Sequence, residues 1–576
     1  MLSTTLLLIG LQGAFDESAV HARPNVILIM TDDQGYGDLG ITGNSCLETP
    51  HLDALGRQSA RWRRFYVSPV CSPTRACLMT GRYAYRTRVV DTWVGRSMMD
   101  PGEHTLAELL RATGYHTGIF GKWHLGDHFP LRPHDQGFDR SLVHFGGGLA
   151  QPSEPPENER RYTDPILSRN GNEELAEGYC TDVYFDEALA FVDEVRGSDR
   201  PFFVYLPTNA PHGPLHDVPS ELYEKYAGMD LGPVLGASGK ADRTARIYAM
   251  IENVDQNVGR LMDRLDQWGL AENTLVVFLL DNGPQGVRYN AGLRGQKTHV
   301  YEGGVRSVFF ARWPARLRAH DVGEHPAAHI DVLPTILEAA GVQHDPARSL
   351  DGRSLLTSLE RGSDPTWSPR TLFLQVHRGN TPQRGWHFAA IGPRYKLVRN
   401  SGFGGRGVKD PSEMPLELYD LVDDPGESHD LSAQLPGVVG SMWTQYLRWF
   451  ADVSSERPDN YSPPRIVIGE DAETFTRLSK QDWRVGDAEG WGQVGAWHLR
   501  SGKSRRYDIQ ILFHPPVAGE LQLLVGTEVL ARLDCAPGTR DATISDQELP
   551  AGDFGLRVVV RGDKAQGAYQ VLLRRK

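Results

Sequence analysis

A chain of 576 residues is longer than one ordinary core organises, so two or three structural units are expected. Hydrophobic residues at 40% and charged residues at 23% are typical of a globular protein. A net charge of −12 argues against broad electrostatic attraction to nucleic acid or membrane surfaces. The five cysteines, Cys46, Cys71, Cys77, Cys180 and Cys535, are too sparse and odd in number for a disulfide framework.

At the N-terminus, Leu6 to Leu11 is a short apolar run, and Val20-His21-Ala22 has the small-residue character of a cleavage site. A cleaved leader over residues 1–22 is expected, and with it a periplasmic or secreted protein. No Lys or Arg precedes the run, so a disordered cytosolic tail is the alternative. No other segment has the roughly 18 uninterrupted apolar residues of a membrane span.

The fold is expected to start at Arg23-Pro24-Asn25. Val26 to Met30 is a continuous apolar run, as in a parallel strand buried on both faces, and it ends in Thr31-Asp32-Asp33. Two aspartates at a strand's carboxyl end suggest a hard-cation site, although acidic loops after strands are usually solvated turns. Thr49 to Ser59 reads as a helix started by Pro50. It leads to Cys71-Ser72-Pro73-Thr74-Arg75, where Pro73 suits a first helical turn and Cys71 would stand at the helix N-terminus.

Thr105 to Thr113 is a helical pattern stopped by Gly114. His116 to Phe120 is a short strand opening into Gly121-Lys122-Trp123-His124. The polar stretch Gln151 to Glu177 is expected to be a surface excursion near the mouth of a site. Val183 to Val195 is helical, and the strand Pro201 to Leu206 runs into Asn209-Ala210-Pro211-His212. Ala241 to Gln267 is a long core helix; Thr274 to Leu280 is a buried strand ending in Asp281-Asn282. Lys297 follows on a Gly-bounded loop, before Tyr301-Glu302-Gly303-Gly304. Ser307 to Phe310 reads as a strand and Ile330 to Ala340 as a helix. Alternating strands and helices with polar groups at successive strand ends predict a doubly wound α/β domain with a mixed sheet.

Cys71-x-Pro-Thr-Arg followed by Leu78-Met79-Thr80-Gly81-Arg82 resembles the signature of the formylglycine-dependent (type I) sulfatases of the alkaline-phosphatase superfamily. Asp32-Asp33, Gly121-Lys122-x-His124, Ala210-Pro211-His212, Asp281-Asn282 and Lys297 stand in that family's order. Glu417-Leu418-Tyr419-Asp420-Leu421 with Asp424-Pro425 and Glu427 resembles its C-terminal subdomain. The likeness spans roughly Pro24 to Phe450. It implies a sulfuric ester hydrolase acting on a sulfated saccharide, with Cys71 converted to formylglycine by a maturation enzyme. It implies one Ca²⁺ (Mg²⁺ the alternative) held by Asp32, Asp33, residue 71, Asp281 and Asn282.

Arg75, Lys122 and Lys297 would then offset the sulfate charge, with a hydroxyl of the hydrated aldehyde attacking sulfur. His212 with Lys297 would protonate the leaving oxygen, and His124 would act as base when the aldehyde is regenerated. Two alternatives stay open: a phosphate or phosphonate ester hydrolase on the same scaffold, and a catalytically silent binder of sulfated glycans.

The expected organisation is a catalytic α/β domain over 23–370, a smaller α+β subdomain over 371–455, and a linker over 456–464. The remainder, 465–576, reads as an accessory β-sandwich with strands near 507–513, 519–525, 554–560 and 569–573. Its Trp483, Trp491 and Trp497 are candidates for stacking on sugar rings, against a core role for each.

Overall fold

The computed structural model describes residues 23–576 except 237, 324, 346–347, 404–409, 411–413, 458, 460, 472, 474, 486–490 and 563; the expected leader lies outside the described residues. Ten strands form the main sheet. In chain order they are β1 (Asn25–Thr31), β2 (Ala60–Trp62), β3 (His116–Lys122), β4 (Arg140–His144), β5 (Ile166–Arg169), β6 (Asn172–Leu175), β7 (Phe202–Pro207), β8 (Thr274–Leu280), β9 (Phe309–Arg312) and β10 (His320–Val322). Their spatial order is β10-β2-β9-β8-β1-β7-β3-β4-β5-β6. The middle five, β8-β1-β7-β3-β4, are parallel, whereas β9 and the β5–β6 hairpin run antiparallel at either side.

The sheet is buried on both faces, and its central strands β1, β7 and β8 are apolar along almost their whole length. Val26, Leu28 and Met30 of β1 face one core, and Ile27 and Ile29 face the other. The first core is covered by α3 (Leu106–Ala112) and α6 (Val332–Ala339). The second is covered by α1 (Pro50–Arg57), α4 (Cys180–Val195) and α5 (Ala241–Gln267). α3 starts where its sequence says it should, with Thr105 and Glu108 forming a reciprocal capping box. The 151–177 stretch is more ordered than a surface excursion: it supplies β5 and β6, which extend the sheet.

α2 (Cys71–Thr80) is buried along all ten residues and carries Cys71 in its first turn. Thr74 Oγ1 donates to Asp281 O at 2.7 Å, and Arg75 Nη1 donates to Lys122 O at 2.9 Å. The helix is thereby pinned to the carboxyl ends of β8 and β3. Gly121, at φ +139°, lies where a Cβ would come within 2.0 Å of Pro207 O, so β3 and β7 approach at a spacing only glycine permits.

A four-stranded antiparallel sheet, β11 (Leu372–Gln375), β12 (Phe388–Ile391), β13 (Tyr395–Arg399) and β14 (Glu417–Asp420), packs with α7 (Pro436–Ser455). It is tied to the catalytic part by Lys396, buried between Glu302 and Glu427 at 2.9 Å from each.

The C-terminal strands are β15 (Ile466–Ile468), β16 (Phe475–Ser479), β17 (Trp497–Ser501), β18 (Arg505–Val525), β19 (Glu528–Leu549), β20 (Gly552–Arg561) and β21 (Gln570–Arg575). The two runs expected near 507 and 519 are one long strand, β18. Its first half pairs with β21 and its second half with β20, while β19 follows it along much of its length. The two halves diverge from this shared strand and close over one core that includes Ile509, Leu521, Leu556 and Leu573. Trp483 and Trp497 are fully buried in that core, so of the two roles open to them the core role holds and sugar stacking fails for both. Val94, Met98 and Leu131 of the α/β part belong to the same cluster.

Candidate functional site

The residues singled out from the sequence converge at the carboxyl edge of the parallel strands. Asp32 and Asp33 follow β1, Asp281 and Asn282 follow β8, Lys122 ends β3 with His124 two residues on, and His212 lies beyond β7. α2 brings Cys71 and Arg75 into the same cluster, and the loop before Glu302 brings Lys297. Asp33 and His124 both have left-handed backbones, φ 63° and 60°, a strain of about 1–3 kcal/mol each that packing must hold.

Arg75 Nη2 donates to Asp32 Oδ2 and to Asp281 Oδ2, each at 3.1 Å, with all three side chains fully buried. Lys122 Nζ also donates to Asp32 Oδ2, and to Gly147 O at 2.7 Å. Lys297 Nζ lies 2.5 Å from Asp33 Oδ1, an oxygen that also accepts from Asn282 Nδ2 at 2.9 Å. The Asp33 backbone N–H donates to Asp281 Oδ1 at 3.1 Å. Burial alone would raise the Asp32 carboxyl; Lys122, His212 and Arg75 outweigh it and hold the group far below the carboxylate range. Asp281 moves the other way, pushed up by burial and by the Asp32 charge.

Two carboxylates this close disfavour each other's charge, which a bound cation reverses. Asp32 Oδ1, Asp33 Oδ2 and Asn282 Oδ1 are buried with no hydrogen-bond partner in the structure. Donor atoms of Asp32, Cys71 and Asp281 lie within 4.8 Å of one another, as do those of Asp32, Asp33 and His212. Three orphaned oxygens in a carboxylate-rich niche fit a hard divalent cation. The charges of Asp32, Asp33 and Asp281 are matched by Arg75, Lys122 and Lys297, so such a cation would leave the niche positive, as an anionic ester requires.

The histidines are oriented by backbone carbonyls. His124 Nε2–H donates to Thr92 O at 2.7 Å, which leaves the Nδ1 lone pair facing Cys71 Sγ at 3.5 Å. Burial, with Lys122 and Arg75 nearby, holds its imidazole well below the usual histidine range and therefore neutral. His212 Nδ1–H donates to Gly213 O at 2.8 Å and turns Nε2 toward Asp33 Oδ2, 3.8 Å away. Burial also pushes the Cys71 thiol up.

Above this cluster a cavity of ≈ 430 Å³ is lined by Cys71, His124, His212 and Lys297, and also by Trp93, Gln151, Arg378, Phe403 and Trp491. The sequence reading missed Thr92, Arg378 and Gln481. Gln481 Nε2, from the C-terminal β unit, donates to Thr92 O at 2.9 Å and to Ser97 Oγ at 3.0 Å, and lies 3.5 Å from His124 Nε2. No local signal marks it, because its role exists only once residues 389 positions apart meet.

The fold and the anion-ready niche at its strand ends define a hydrolase of charged esters built on a mixed α/β sheet. The sulfatase family matches residues 24–342, and the family described as N-sulphoglucosamine sulphohydrolase, C-terminal, matches residues 295–442. The chain belongs to the sulfatase family. It is 31% identical over 473 residues to N-acetylgalactosamine-6-sulfatase of Canis lupus familiaris, covering 74% of this chain and 85% of the relative. To arylsulfatase A of Homo sapiens it is 33% identical over 462 residues, covering 73% and 85%. Among solved structures, Ps i-CgsB in complex with k-i-k-neocarrahexaose superposes with a TM-score of 0.63 at 28% identity, covering 74% of this chain and 92% of that one.

Proposed function

We propose that the enzyme releases inorganic sulfate from a sulfated saccharide, with residue 71 as formylglycine and one Ca²⁺, or Mg²⁺ in its place, held by Asp32, Asp33, Asp281 and Asn282. The observation that carries this reading is the convergence of three unpartnered buried oxygens, residue 71 and three cationic side chains at one point. A saccharide substrate is supported by the names of the relatives, one an N-acetylgalactosamine-6-sulfatase and one crystallised with k-i-k-neocarrahexaose.

A buried cysteine whose thiol is pushed up is uncharged at neutral pH and a poor nucleophile, which favours the modified form. As formylglycine hydrate, residue 71 would supply an oxygen nucleophile, and a cation held by Asp32, Asp33, Asp281 and Asn282 would supply positive charge that offsets the ester's negative charge. Arg75, Lys122 and Lys297 hold the floor of the pocket positive and orient the anion. The His124 Nδ1 lone pair is placed to take a proton from residue 71. An entering sulfate ester brings negative charge toward His212 and favours its protonated form, from which Nε2 hands a proton to the leaving oxygen. Maturation by a formylglycine-generating enzyme and export by the leader over 1–22 complete the reading.

The test is to weigh the peptide carrying residue 71 and to measure sulfate release from defined sulfated saccharides beside the matching phosphate esters. The aldehyde mass and sulfate release are expected, with activity abolished in Cys71→Ala, removed by chelation, and restored by Ca²⁺ or Mg²⁺. Activity in enzyme whose Cys71 is wholly unmodified, or undiminished activity in metal-free protein, would overturn the reading.

A further inference from the structure

The cavity is larger than a sulfate group requires, and the surplus has a wall of its own. Trp93, Arg378, Phe403 and Trp491, all half-buried, line it away from the Asp32 cluster. The Arg378 guanidinium lies over the Trp93 ring at 4.1 Å and the Phe403 ring at 5.0 Å, and its backbone N–H donates to Phe403 O at 2.6 Å. Trp491 meets Trp93 edge to face, with centroids 5.2 Å apart and planes at 80°. Asp91, which feels the Arg378 charge, is already bonded to Thr92 N–H and Trp93 Nε1–H, and lies 3.5 Å from Arg96. Among the described residues, the Arg378 guanidinium has no ion pair or hydrogen bond.

A core role accounts for the buried edges of these rings. It does not account for an arginine set over two aromatic rings, with its donors unspent, in the lining of a cavity. Aromatic faces beside a free guanidinium suit a pyranose ring, whose C–H face packs on indole while an anionic substituent accepts from the fork. Three distant segments build the wall. Trp93 and Arg378 lie within the two matched families, whereas Trp491 belongs to residues 443–576, beyond both.

We propose that Trp93, Trp491 and Arg378 form a second subsite that takes the sugar next to the one bearing the scissile sulfate and reads a sulfate or carboxylate on it. The proposal rests on the reading of the cavity floor as the place of sulfate-ester cleavage.

Two measurements test it. The first is binding of a defined sulfated disaccharide with an anionic neighbouring sugar to Cys71→Ala protein, followed by tryptophan fluorescence and calorimetry. The second is hydrolysis of that disaccharide and of nitrophenyl sulfate by the active enzyme. Trp491→Ala and Arg378→Ala are each expected to weaken disaccharide binding and raise its KM about tenfold. Losses on nitrophenyl sulfate, which reaches only the floor, should be several-fold smaller. Trp491→Phe should recover most of the loss and Arg378→Lys little of it, with thermal melting certifying that each variant folds. A disaccharide lacking the second anion should be insensitive to Arg378→Ala.

Unchanged disaccharide affinity in both alanine variants, equal losses on both ligands, or no disaccharide binding to Cys71→Ala protein would overturn the subsite. Failure of the parent reading looks different: aldehyde-bearing enzyme that cleaves neither sulfate ester, while the binding measurement still reports on the wall.

Discussion

The proton on His124 is placed by its neighbours: Thr92 O accepts it from Nε2, so the face turned to residue 71 is a lone pair. His212 shows the opposite arrangement, its proton engaged by Gly213 O on Nδ1 and its Nε2 turned toward Asp33 Oδ2. The two histidines therefore predict different failures. His212→Ala should cost about 10²–10⁴-fold on a sulfated sugar and much less on nitrophenyl sulfate, because a phenolate of low pKa departs without a proton. His124→Ala should slow both substrates alike and leave sulfate attached to residue 71, visible in the intact mass after turnover. Sulfate retained on the His212 variant instead would exchange the two assignments. The residue types and order of this site were legible in the sequence because the cysteine signature, the motifs at the strand ends and Lys297 on its loop together resemble one family's pattern. What could not be read was orientation, which is decided by carbonyls such as Thr92 O that carry no side-chain signature.

Among the elements, α2 owes one of its anchors to a hydroxyl. Thr74 Oγ1 donates to Asp281 O and accepts from Ser68 N–H at 3.0 Å, joining the helix to the loop of Asp281 and Asn282. Thr74→Val keeps the shape and leaves both partners buried and unpaired. A stability loss of about 1–3 kcal/mol is expected in denaturant unfolding, together with weaker Ca²⁺ binding; a loss of stability with unaltered Ca²⁺ affinity would separate the helix from the niche. The elements that were legible are those with strong apolar patterning, such as β1, β8 and α5. β19 was not, because of its 22 residues only Cys535, Ile544 and Leu549 are buried. A strand held by pairing with a single neighbour needs little apolar sequence, and so leaves little to read.

For the molecule as a whole, the junction between the α/β part and the C-terminal unit is sensitive to rising pH. Asp482 is buried with its Oδ2 3.3 Å from His128 Nδ1, and Asp127, Glu154, Arg477 and Arg484 supply the other charges in the neighbourhood. Burial pushes Asp482 up to about 7 and His128 down to about 3, so the histidine is neutral and provides no counter-charge. A carboxyl raised on folding binds its proton more tightly in the folded state. Its contribution therefore weakens as pH climbs from the ordinary carboxylate range to about 7, and the penalty is full above that. Asp482→Asn should raise stability at pH 8 by on the order of 2 kcal/mol and flatten part of the pH dependence; Asp127 and Glu154, raised in the same direction, keep the remainder. Unfolding curves of the two proteins at pH 5 and pH 8 measure this, and an equal difference at both would remove Asp482 from the effect.

Residue 71 is 3% exposed, and every other residue of its helix is buried with it. On the proposal that residue 71 is oxidised to an aldehyde, the oxidising enzyme would have to grip several residues around it, and the finished fold buries the whole of α2. The proportion of competent molecules in a batch would then be settled while each chain is being made. A preparation short of aldehyde would be a fixed mixture of working and inert copies with nearly the same mass, charge and melting behaviour, and incubating the purified protein with that oxidising enzyme is expected to leave its specific activity unchanged.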